Sequence, residues 1–308
     1  MYHKGKHKFK HLDLVPGGTF TGFGTEYPGQ KVFYVDKDGD DDNDGLSVNT
    51  PLKLIETAIG KCTANKYDAI VVMQESPGTA TTGESWPVDI DKQGILLTGL
   101  YSRGLISDSG FGPGASDATD CIYIAANHCA VENLYLQVSA GGSAKSVITT
   151  DAAAVYGATI RNCWIGLQNT ATYGFYTGAS SDWPYLLIEN CTFGAPNASS
   201  FTNAIKLFNA TFGMIRNNVI YGGNGYAIYL LGSCGNVGIF DNKIVCYSDT
   251  DGYAIHTAAG SSDNAISGNE AMFGSNDMTN QLYQEASTAD YNNWGINYED
   301  ITASLPTA

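Results

Sequence analysis

A six-residue pattern recurs between residues 131 and 271, and it constrains the fold more than any other feature of the chain. Each copy has an apolar residue at its first and last positions and Asn, Asp or Gly at the third. The copies start 29, 28, 27, 24 and 27 residues apart. Such regular self-similarity is the signature of a repeat architecture. The copies are VENLYL (131–136), IRNCWI (160–165), IENCTF (188–193), IRNNVI (215–220), IFDNKI (239–244) and ISGNEA (266–271).

A second apolar segment lies between successive copies, so each repeat holds two short strands. Its central residues are Ile148, Phe175, Ile205, Ile228 and Ile255. Two strands per repeat, separated by Gly, Asn and Ser, predict a β-solenoid in which each coil buries its apolar residues on the next. A β-propeller blade needs about 40 residues, so the shorter period disfavours that fold.

The residues before the repeats predict one strand, an acidic turn and one helix. VFYVD (32–36) alternates as a strand does, and PLKLIETAIGKC (51–62) is amphipathic with the period of a helix. We expect Asn49 or Thr50 to cap this helix, with Pro51 at its first position.

The I-x-N-N-x-I coil and the segment YVDKDGDDDNDGLSVNTPLKLIETAI (34–59) resemble the right-handed parallel β-helix of the pectate-lyase-like superfamily. The resemblance covers roughly residues 32–273. It implies an all-β, right-handed parallel β-helix of about seven to eight coils, with a short N-terminal capping helix over one end. It implies a fold and no single function, because this fold carries many functions.

We divide the chain into four parts. These are a basic, Gly-rich arm for attachment (1–31), a strand, acidic turn and capping helix (32–69), the parallel β-helix (70–273), and a segment that caps the last coil or exchanges with a neighbour (274–308). The arm holds five of the 16 Lys and Arg residues of a chain whose net charge is −15. This asymmetry is typical of an interaction tail, and a solvated terminus is the alternative. The predicted partner-binding residues are Lys4, Lys6, Lys8, Phe9, Lys10 and His11.

Composition disfavours several classes of partner. No apolar run approaches the ~18–20 residues of a membrane span, and no signal-peptide core follows the basic start. Net acidity disfavours a nucleic-acid partner.

The seven cysteines include no C-x-x-C pair, so we expect buried free thiols. Cys163 and Cys191 occupy successive coils, and a disulfide between them is the alternative.

Equivalent residues of successive coils lie about 4.8 Å apart, so the alignment predicts columns of side chains. Glu132, Arg161, Glu189 and Arg216 alternate in sign and predict a structural ion ladder. In the alternative interpretation an arginine is the base of a polysaccharide lyase, but flanking carboxylates oppose the neutral form that a base needs. The Asn residues at the third position of the pattern are expected to hydrogen-bond along the axis.

Two further outward columns mix aromatic and polar residues. One contains Tyr135 and Trp164, and the other contains Tyr176, Tyr229 and His256. Aromatic columns can stack on sugar rings, or they can form the seam where solenoids associate. The ordinary preference of Tyr and Trp for strands is a third explanation. The sequence therefore predicts an oligomer face or a glycan face at these five residues.

The motifs NTD, GHG, R-x-K and W-x-D-H of polysaccharide-active relatives are absent from the sequence. The remaining catalytic candidates are Asp249, Asp251 and Asp263, whose loops could converge near His256. We therefore expect no enzymatic activity, and a polysaccharide lyase or glycoside hydrolase is the alternative.

The acidic turn is the candidate metal site. Asp40, Asp42 and Asp44, followed by Gly45, match the D-x-D-x-D-G start of a calcium-binding loop. Pro51 stands where that loop carries its bidentate Glu. Ca²⁺ is the one candidate cofactor, and a solvated turn is the alternative.

Three functions follow from these features. The first is a non-enzymatic structural protein on the surface of a virion, made in the host cytoplasm. The arm, followed by the YVD segment (34–36) and the helix that ends in IGKC (59–62), also resembles β-helical structural proteins of tailed bacteriophages. Within that class we expect a homotrimeric head decoration (cement) protein that binds the major capsid protein through its arm. The alternatives are a tailspike-type polysaccharide depolymerase and a non-catalytic glycan-binding module.

Overall fold

A computed structural model of the chain describes residues 30–74, 84–100, 110–111, 119–138, 146–150, 155–167, 173–178, 183–194, 201–221, 225–246, 253–273, 283–286 and 292–300. These residues contain one helix, α1 (Ile55–Lys61), and strands β1–β26. No helix within the described ranges is long and apolar enough to cross a membrane.

The strands form three sheets. Sheet 1 has ten strands: β1 (Val32–Asp36), β2 (Ala69–Gln74), β4 (Leu96–Gly99), β7 (Ala130–Glu132), β10 (Thr159–Arg161), β13 (Leu187–Glu189), β16 (Met214–Arg216), β19 (Gly238–Phe240), β22 (Ala265–Ser267) and β25 (Asn293–Trp294). Sheet 2 has eight: β5 (Gly110–Phe111), β8 (Tyr135–Val138), β11 (Trp164–Leu167), β14 (Thr192–Phe193), β17 (Val219–Tyr221), β20 (Lys243–Cys246), β23 (Glu270–Phe273) and β26 (Tyr298–Asp300). Sheet 3 has eight: β3 (Val88–Ile90), β6 (Ile122–Ile124), β9 (Ser146–Thr150), β12 (Tyr173–Thr177), β15 (Asn203–Phe208), β18 (Ile228–Leu231), β21 (Ile255–Thr257) and β24 (Tyr283–Glu285).

Neighbouring strands are parallel, and their register matches the alignment of the repeats. Ile160 pairs with Val131 on one side and with Ile188 on the other. These inward residues are wholly buried in one continuous hydrophobic core. The predicted all-β parallel β-helix with a single short helix is confirmed, and the number of coils differs slightly from the seven to eight predicted. Strands β24, β25 and β26 continue the three sheets beyond residue 273.

The turn between sheets 1 and 2 explains the Asn in the repeat. Its third position adopts a left-handed backbone conformation, which Asn, Asp and Gly tolerate better than other residues. The residues at this position are Asn133, Asn162, Asn190, Asn217, Asp241 and Gly268, with φ between 54° and 72°.

A buried amide ladder occupies the following column. Asn218 donates from Nδ2 to Oδ1 of Asn242 at 2.9 Å, and Asn242 donates in the same way to Asn269 at 2.9 Å. The preceding Asn column carries the expected axial bonds only in part, because Asn190, Asn217 and Asp241 are exposed. Its described side-chain bonds between coils run from Asn162 Nδ2 to Asn133 Oδ1 at 3.2 Å and from Asn133 Nδ2 to Thr98 Oγ1 at 3.1 Å.

Helix α1 packs against β1, β2 and β3 and begins later than predicted. Leu54 is its N-cap residue and makes no side-chain capping hydrogen bond. The expected cap by Asn49 or Thr50 was therefore wrong. The Asp41 carboxylate of the acidic turn accepts the backbone N–H groups of Lys53 and Leu54, and the Glu84 carboxylate accepts those of Ile55 and Glu56.

All seven cysteines are buried free thiols, as predicted. Burial raises the pKa of Cys62 and of Cys246 to about 12. Since a thiolate is the reactive form of cysteine, these thiols are unreactive in the folded protein.

Candidate functional site

The outer surface of sheet 3 carries a contiguous group of aromatic and cationic side chains. Strand pairing places Tyr176 beside Lys206, Lys206 beside Tyr229, and Tyr229 beside His256. These four positions belong to successive coils, which confirms the column read from the sequence. Three further tyrosines lie against it. We call the group the aromatic face: Tyr173, Tyr176, Lys206, Tyr226, Tyr229, Tyr253 and His256.

Lys206 lies at the centre of the aromatic face. Its Nζ is 5.0 Å from the ring centroid of Tyr173 and 5.7 Å from those of Tyr176 and Tyr229. It also donates a hydrogen bond to the Tyr173 hydroxyl at 3.3 Å. Tyr173 and Tyr176 stack with centroids 4.6 Å apart and an interplanar angle of 16°. Cation–π attraction and this hydrogen bond hold the ammonium group at a defined place on the sheet.

His256 lies among the remaining rings of the aromatic face. Its imidazole stacks on Tyr226, with centroids 4.5 Å apart and an angle of 18°, and lies 5.7 Å from Tyr253 and 5.1 Å from Tyr229. Burial raises the pKa of the Tyr229 hydroxyl, with a smaller contribution from Tyr226. The rings around His256 are therefore packed together, and the Tyr229 hydroxyl stays protonated.

Three members of the aromatic face were missed in the sequence columns, namely Tyr173, Tyr226 and Tyr253. A regular strand places residues i and i+3 on opposite faces, so the column rule excludes them. Bends at residues 227 and 254 bring Tyr226 and Tyr253 back to the outer surface. The signal that could have found them is the recurring spacing YGFY (173–176), YAIY (226–229) and YAIH (253–256).

The other predicted aromatic column lies on a different surface. Tyr135 and Trp164 pair across β8 and β11 in sheet 2, with ring centroids 5.8 Å apart. The Trp164 Nε1 donates to the carbonyl of Gly194 at 3.1 Å, which fixes the indole. The five predicted aromatic-column residues therefore belong to two separate faces.

Two of the four predicted catalytic residues, Asp263 and His256, lie within the described residues. Asp263 is exposed at a turn and its carboxylate accepts a hydrogen bond from the Ser262 hydroxyl at 3.3 Å. His256 is buried among tyrosines on β21 of sheet 3, whereas Asp263 precedes β22 of sheet 1. Asp249 and Asp251 lie outside the described residues.

The predicted ion ladder is present on sheet 1. The guanidinium of Arg161 lies 2.7 Å from the Glu132 carboxylate, and that of Arg216 lies 2.7 Å from the Glu189 carboxylate. Both glutamates are buried under their arginines. These contacts support the structural interpretation of the arginines.

The carboxylates of the acidic turn bond to their own backbone. Asp40 accepts the N–H of Asp42 at 3.0 Å. Asp44 accepts the N–H of Leu46 and the hydroxyl of Thr50, each at 3.0 Å, and these bonds lower its pKa. Over the described ranges, no group of three His, Cys, Asp or Glu residues is arranged to hold a metal ion. Calcium binding at Asp40, Asp42 and Asp44 stays a prediction.

The arm is not described, so Lys4, Lys6, Lys8, Phe9, Lys10 and His11 lie outside the described residues. Their role in binding a partner stays a prediction.

Comparison with known proteins identifies the family. Residues 37–303 match the family described as protein of unknown function (DUF1565), so the chain belongs to that family. A search of curated proteins finds no match.

Solved structures similar to this chain share little of its sequence. A pectin methylesterase mutant in complex with a hexasaccharide has a TM-score of 0.49 and 9% identity, covering 82% of this chain and 80% of its own. Pectate lyase Pel9A has a TM-score of 0.42 and 12% identity, covering 87% and 79%. ORF18 of Geobacillus virus E2 has a TM-score of 0.27 and 10% identity, covering 87% and 60%. At these identities no activity passes from those proteins to this chain.

Proposed function

We propose that this protein is a non-enzymatic binding protein whose aromatic face holds an acidic carbohydrate. The observation that carries the proposal is the position of Lys206, central among tyrosine rings on the outer surface of a rigid sheet. A tyrosine offers an apolar ring and a hydrogen-bonding hydroxyl in one side chain. A sugar ring has the complementary chemistry, with apolar C–H faces and hydroxyl edges.

The lysine makes an acidic sugar the preferred ligand. The chain as a whole has a net charge of −15, but the Lys206 ammonium group on this face attracts a nearby carboxylate or sulfate. The paired positions Tyr176, Lys206, Tyr229 and His256 carry no carboxylate. Glycoside hydrolysis uses two carboxyl groups about 5–9.5 Å apart, so these positions are better suited to binding than to hydrolysis.

The test is a binding screen against acidic and neutral oligosaccharides, followed by calorimetry on the best ligand. Lys206→Ala should weaken binding of acidic ligands about tenfold, or ~1.4 kcal/mol, and leave neutral ligands less affected. Tyr229→Ala should weaken both classes. Tyr135→Ala, on sheet 2, is the matched control and should bind as the wild type does.

Two results would contradict the proposal. One is an unchanged affinity in both Lys206→Ala and Tyr229→Ala, and the other is release of new reducing or unsaturated ends from a bound polysaccharide. If Tyr229→Ala instead lowers the native mass of the protein, the aromatic face is a seam between copies.

We also propose the virion-surface role as the setting of this binding. Here the basic arm (1–31) attaches the protein to the major capsid protein, and trimerisation multiplies weak contacts through effective concentration. Sequence composition alone supports this part. Co-sedimentation of the full chain with capsids should be lost when residues 1–31 are removed, while circular dichroism of the shortened chain stays that of a β-protein. A truncated protein that still co-sediments would contradict it.

A further inference from the structure

Three exposed aromatic side chains form a ridge along the turn between sheets 3 and 1. They are Tyr156, Tyr185 and Phe212, with exposed fractions of 43%, 62% and 56%. Backbone hydrogen bonds between their turns place them on consecutive coils. The rings of Tyr185 and Phe212 stack, with centroids 5.6 Å apart and an interplanar angle of 17°. We call these three residues the aromatic ridge, which is separate from the seven residues of the aromatic face.

Two residues of the aromatic ridge hold a backbone conformation that suits other residue types better. Tyr185 has φ of 63° and Phe212 has φ of 53°, both in the left-handed region. Equivalent positions on the neighbouring coils hold Gly157 and Asn236, which adopt this region readily. A bulky side chain adopts it at a cost in free energy. A ring that stays exposed recovers little of this cost by burial, so the conformation indicates a role in binding.

The turn holds both rings in fixed places. The backbone N–H of Tyr185 donates to the carbonyl of Thr211 at 2.9 Å, and that of Phe212 donates to the carbonyl of Gly235 at 3.0 Å. Trp183, two residues before Tyr185, is wholly buried and anchors the turn in the core. Groups that are already fixed lose little conformational freedom on binding, and this favours affinity.

The aromatic ridge and Lys206 are connected along one coil. Side chains alternate along β15, so Phe208 lies on the same outer surface as Lys206, with Leu207 buried between them. Phe212 follows in the turn that leaves this strand. The six residues from Lys206 to Phe212 span at most about 20 Å, so one oligosaccharide chain can contact both side chains.

The aromatic ridge differs from Lys206 in charge. No Asp, Glu, Lys, Arg or His occurs in its three described turns, which are residues 155–158, 183–186 and 209–213. His128 lies beside Gly157 at one end of the ridge, and Asp263 lies two coils beyond Phe212 at the other. Aromatic rings without a cation among them suit an uncharged sugar, whose C–H faces are apolar.

The area of the aromatic ridge fits a small ligand better than a second copy of the chain. A stable protein interface buries about 800 Å² on each partner. A buried aromatic side chain contributes at most about 250 Å². Because only about half of each side chain of the ridge is exposed, the three together supply at most about half of the area that an interface needs.

Building on the carbohydrate-binding function proposed above, we infer that the ligand is a chain that carries both acidic and uncharged sugar units. Lys206 on the aromatic face binds an acidic unit, and Tyr185 and Phe212 bind an uncharged unit further along the same chain. The aromatic ridge is then an accessory subsite that selects mixed polysaccharides over homopolymers of an acidic sugar.

Calorimetry with two sets of octasaccharides tests this selection. The acidic set contains homopolymers such as octagalacturonate, and the mixed set contains chains such as alternating glucuronate and N-acetylglucosamine. The wild type should bind the best mixed ligand about tenfold more tightly than the best homopolymer. The double variant Tyr185→Asn, Phe212→Asn should lose this preference and keep its affinity for the homopolymer. Since Asn adopts the left-handed region readily, urea unfolding should show the double variant to be at least as stable as the wild type.

Tyr67→Asn is the matched control. Tyr67 is also an exposed tyrosine with φ of 57°, and it precedes β2, which lies four strands from β13 in sheet 1. This variant should bind every octasaccharide as the wild type does.

A double variant that keeps the preference for mixed ligands overturns the inference, and so does a wild type that prefers homopolymers. A lower native mass of the double variant also overturns it, because the aromatic ridge is then a seam between copies. A clear loss of stability overturns it as well, because the rings then serve the fold. Failure of the proposed function is seen separately, as unchanged affinity in Lys206→Ala and Tyr229→Ala, and a wild type that binds no octasaccharide refutes both.

Discussion

Replacement of Asn242 by Ala tests whether the buried amide ladder holds successive coils together. The Asn242 side chain has no solvent exposure and makes four hydrogen bonds. Its Nδ2 donates to the carbonyl of Ile215 at 3.1 Å and to Oδ1 of Asn269 at 2.9 Å. Its Oδ1 accepts the backbone N–H of Asn218 at 3.0 Å and Nδ2 of the same residue at 2.9 Å.

The expected loss of unfolding free energy follows from the polar groups that lose Asn242 as a hydrogen-bond partner. Alanine removes the acceptor of the Asn218 backbone N–H and the side-chain donor of the Ile215 carbonyl, both in the protein interior. Each buried polar group left unsatisfied costs about 1–3 kcal/mol. We therefore expect a loss of about 2–6 kcal/mol, a large share of the ~5–15 kcal/mol of a typical folded protein.

Urea unfolding followed by far-ultraviolet circular dichroism measures this loss. Lys243→Ala is the matched control, because Lys243 is the next residue, and its contact with Glu270 is an exposed ion pair at 3.5 Å. Such a pair contributes ~0–1 kcal/mol. If Asn242→Ala were no more destabilising than Lys243→Ala, the ladder would not stabilise the coils and the reasoning would be refuted.

Two further substitutions probe the sheets and turns by the same unfolding assay. Arg216→Ala should cost about 1–3 kcal/mol, because it leaves the buried Glu189 carboxylate without its cation, and Arg216→Lys should recover part of the loss. An unchanged midpoint in Arg216→Ala would show that the ion ladder is energetically neutral. Gly194→Ala should cost more than about 1 kcal/mol, since Gly194 has φ of +80° and a Cβ there would overlap the Tyr221 carbonyl oxygen. Gly60→Ala, with open space around it, should instead stabilise the helix by ~0.5–1 kcal/mol, and equal effects at the two glycines would contradict the steric argument.

The core residues and the strand register could both be predicted from the apolar pattern of the repeats. Side chains alternate with a period of two, so a shift of one residue would turn every apolar residue of a strand towards solvent. Val131, Ile160 and Ile188 therefore had to align, and they pair as aligned. The charged column followed from the same register, since Arg161 and Glu132 lie beside each other on neighbouring strands.

The aromatic face could be predicted only in part. Tyr229 and His256 lie within strands and follow the column rule. Tyr226 and Tyr253 precede those strands, and bends in the backbone turn their rings onto the same surface. The alignment predicts side-chain columns on the assumption of a regular strand, so it does not identify residues next to a backbone bend.

Sequence by itself determined the solenoid, its parallel strands and the residues that fill its core, because the apolar period leaves one way to bury them. It also determined the left-handed turn, since Asn, Asp and Gly are the residues that adopt that backbone readily. Only the tertiary structure decided what holds the capping helix. Glu84 bonds to a residue 29 positions earlier, and Lys92 bonds to one 32 positions earlier. Contacts of that separation arise because the chain returns to the same place after one coil, and a single pair of residues outside the repeats leaves no periodic mark in the sequence.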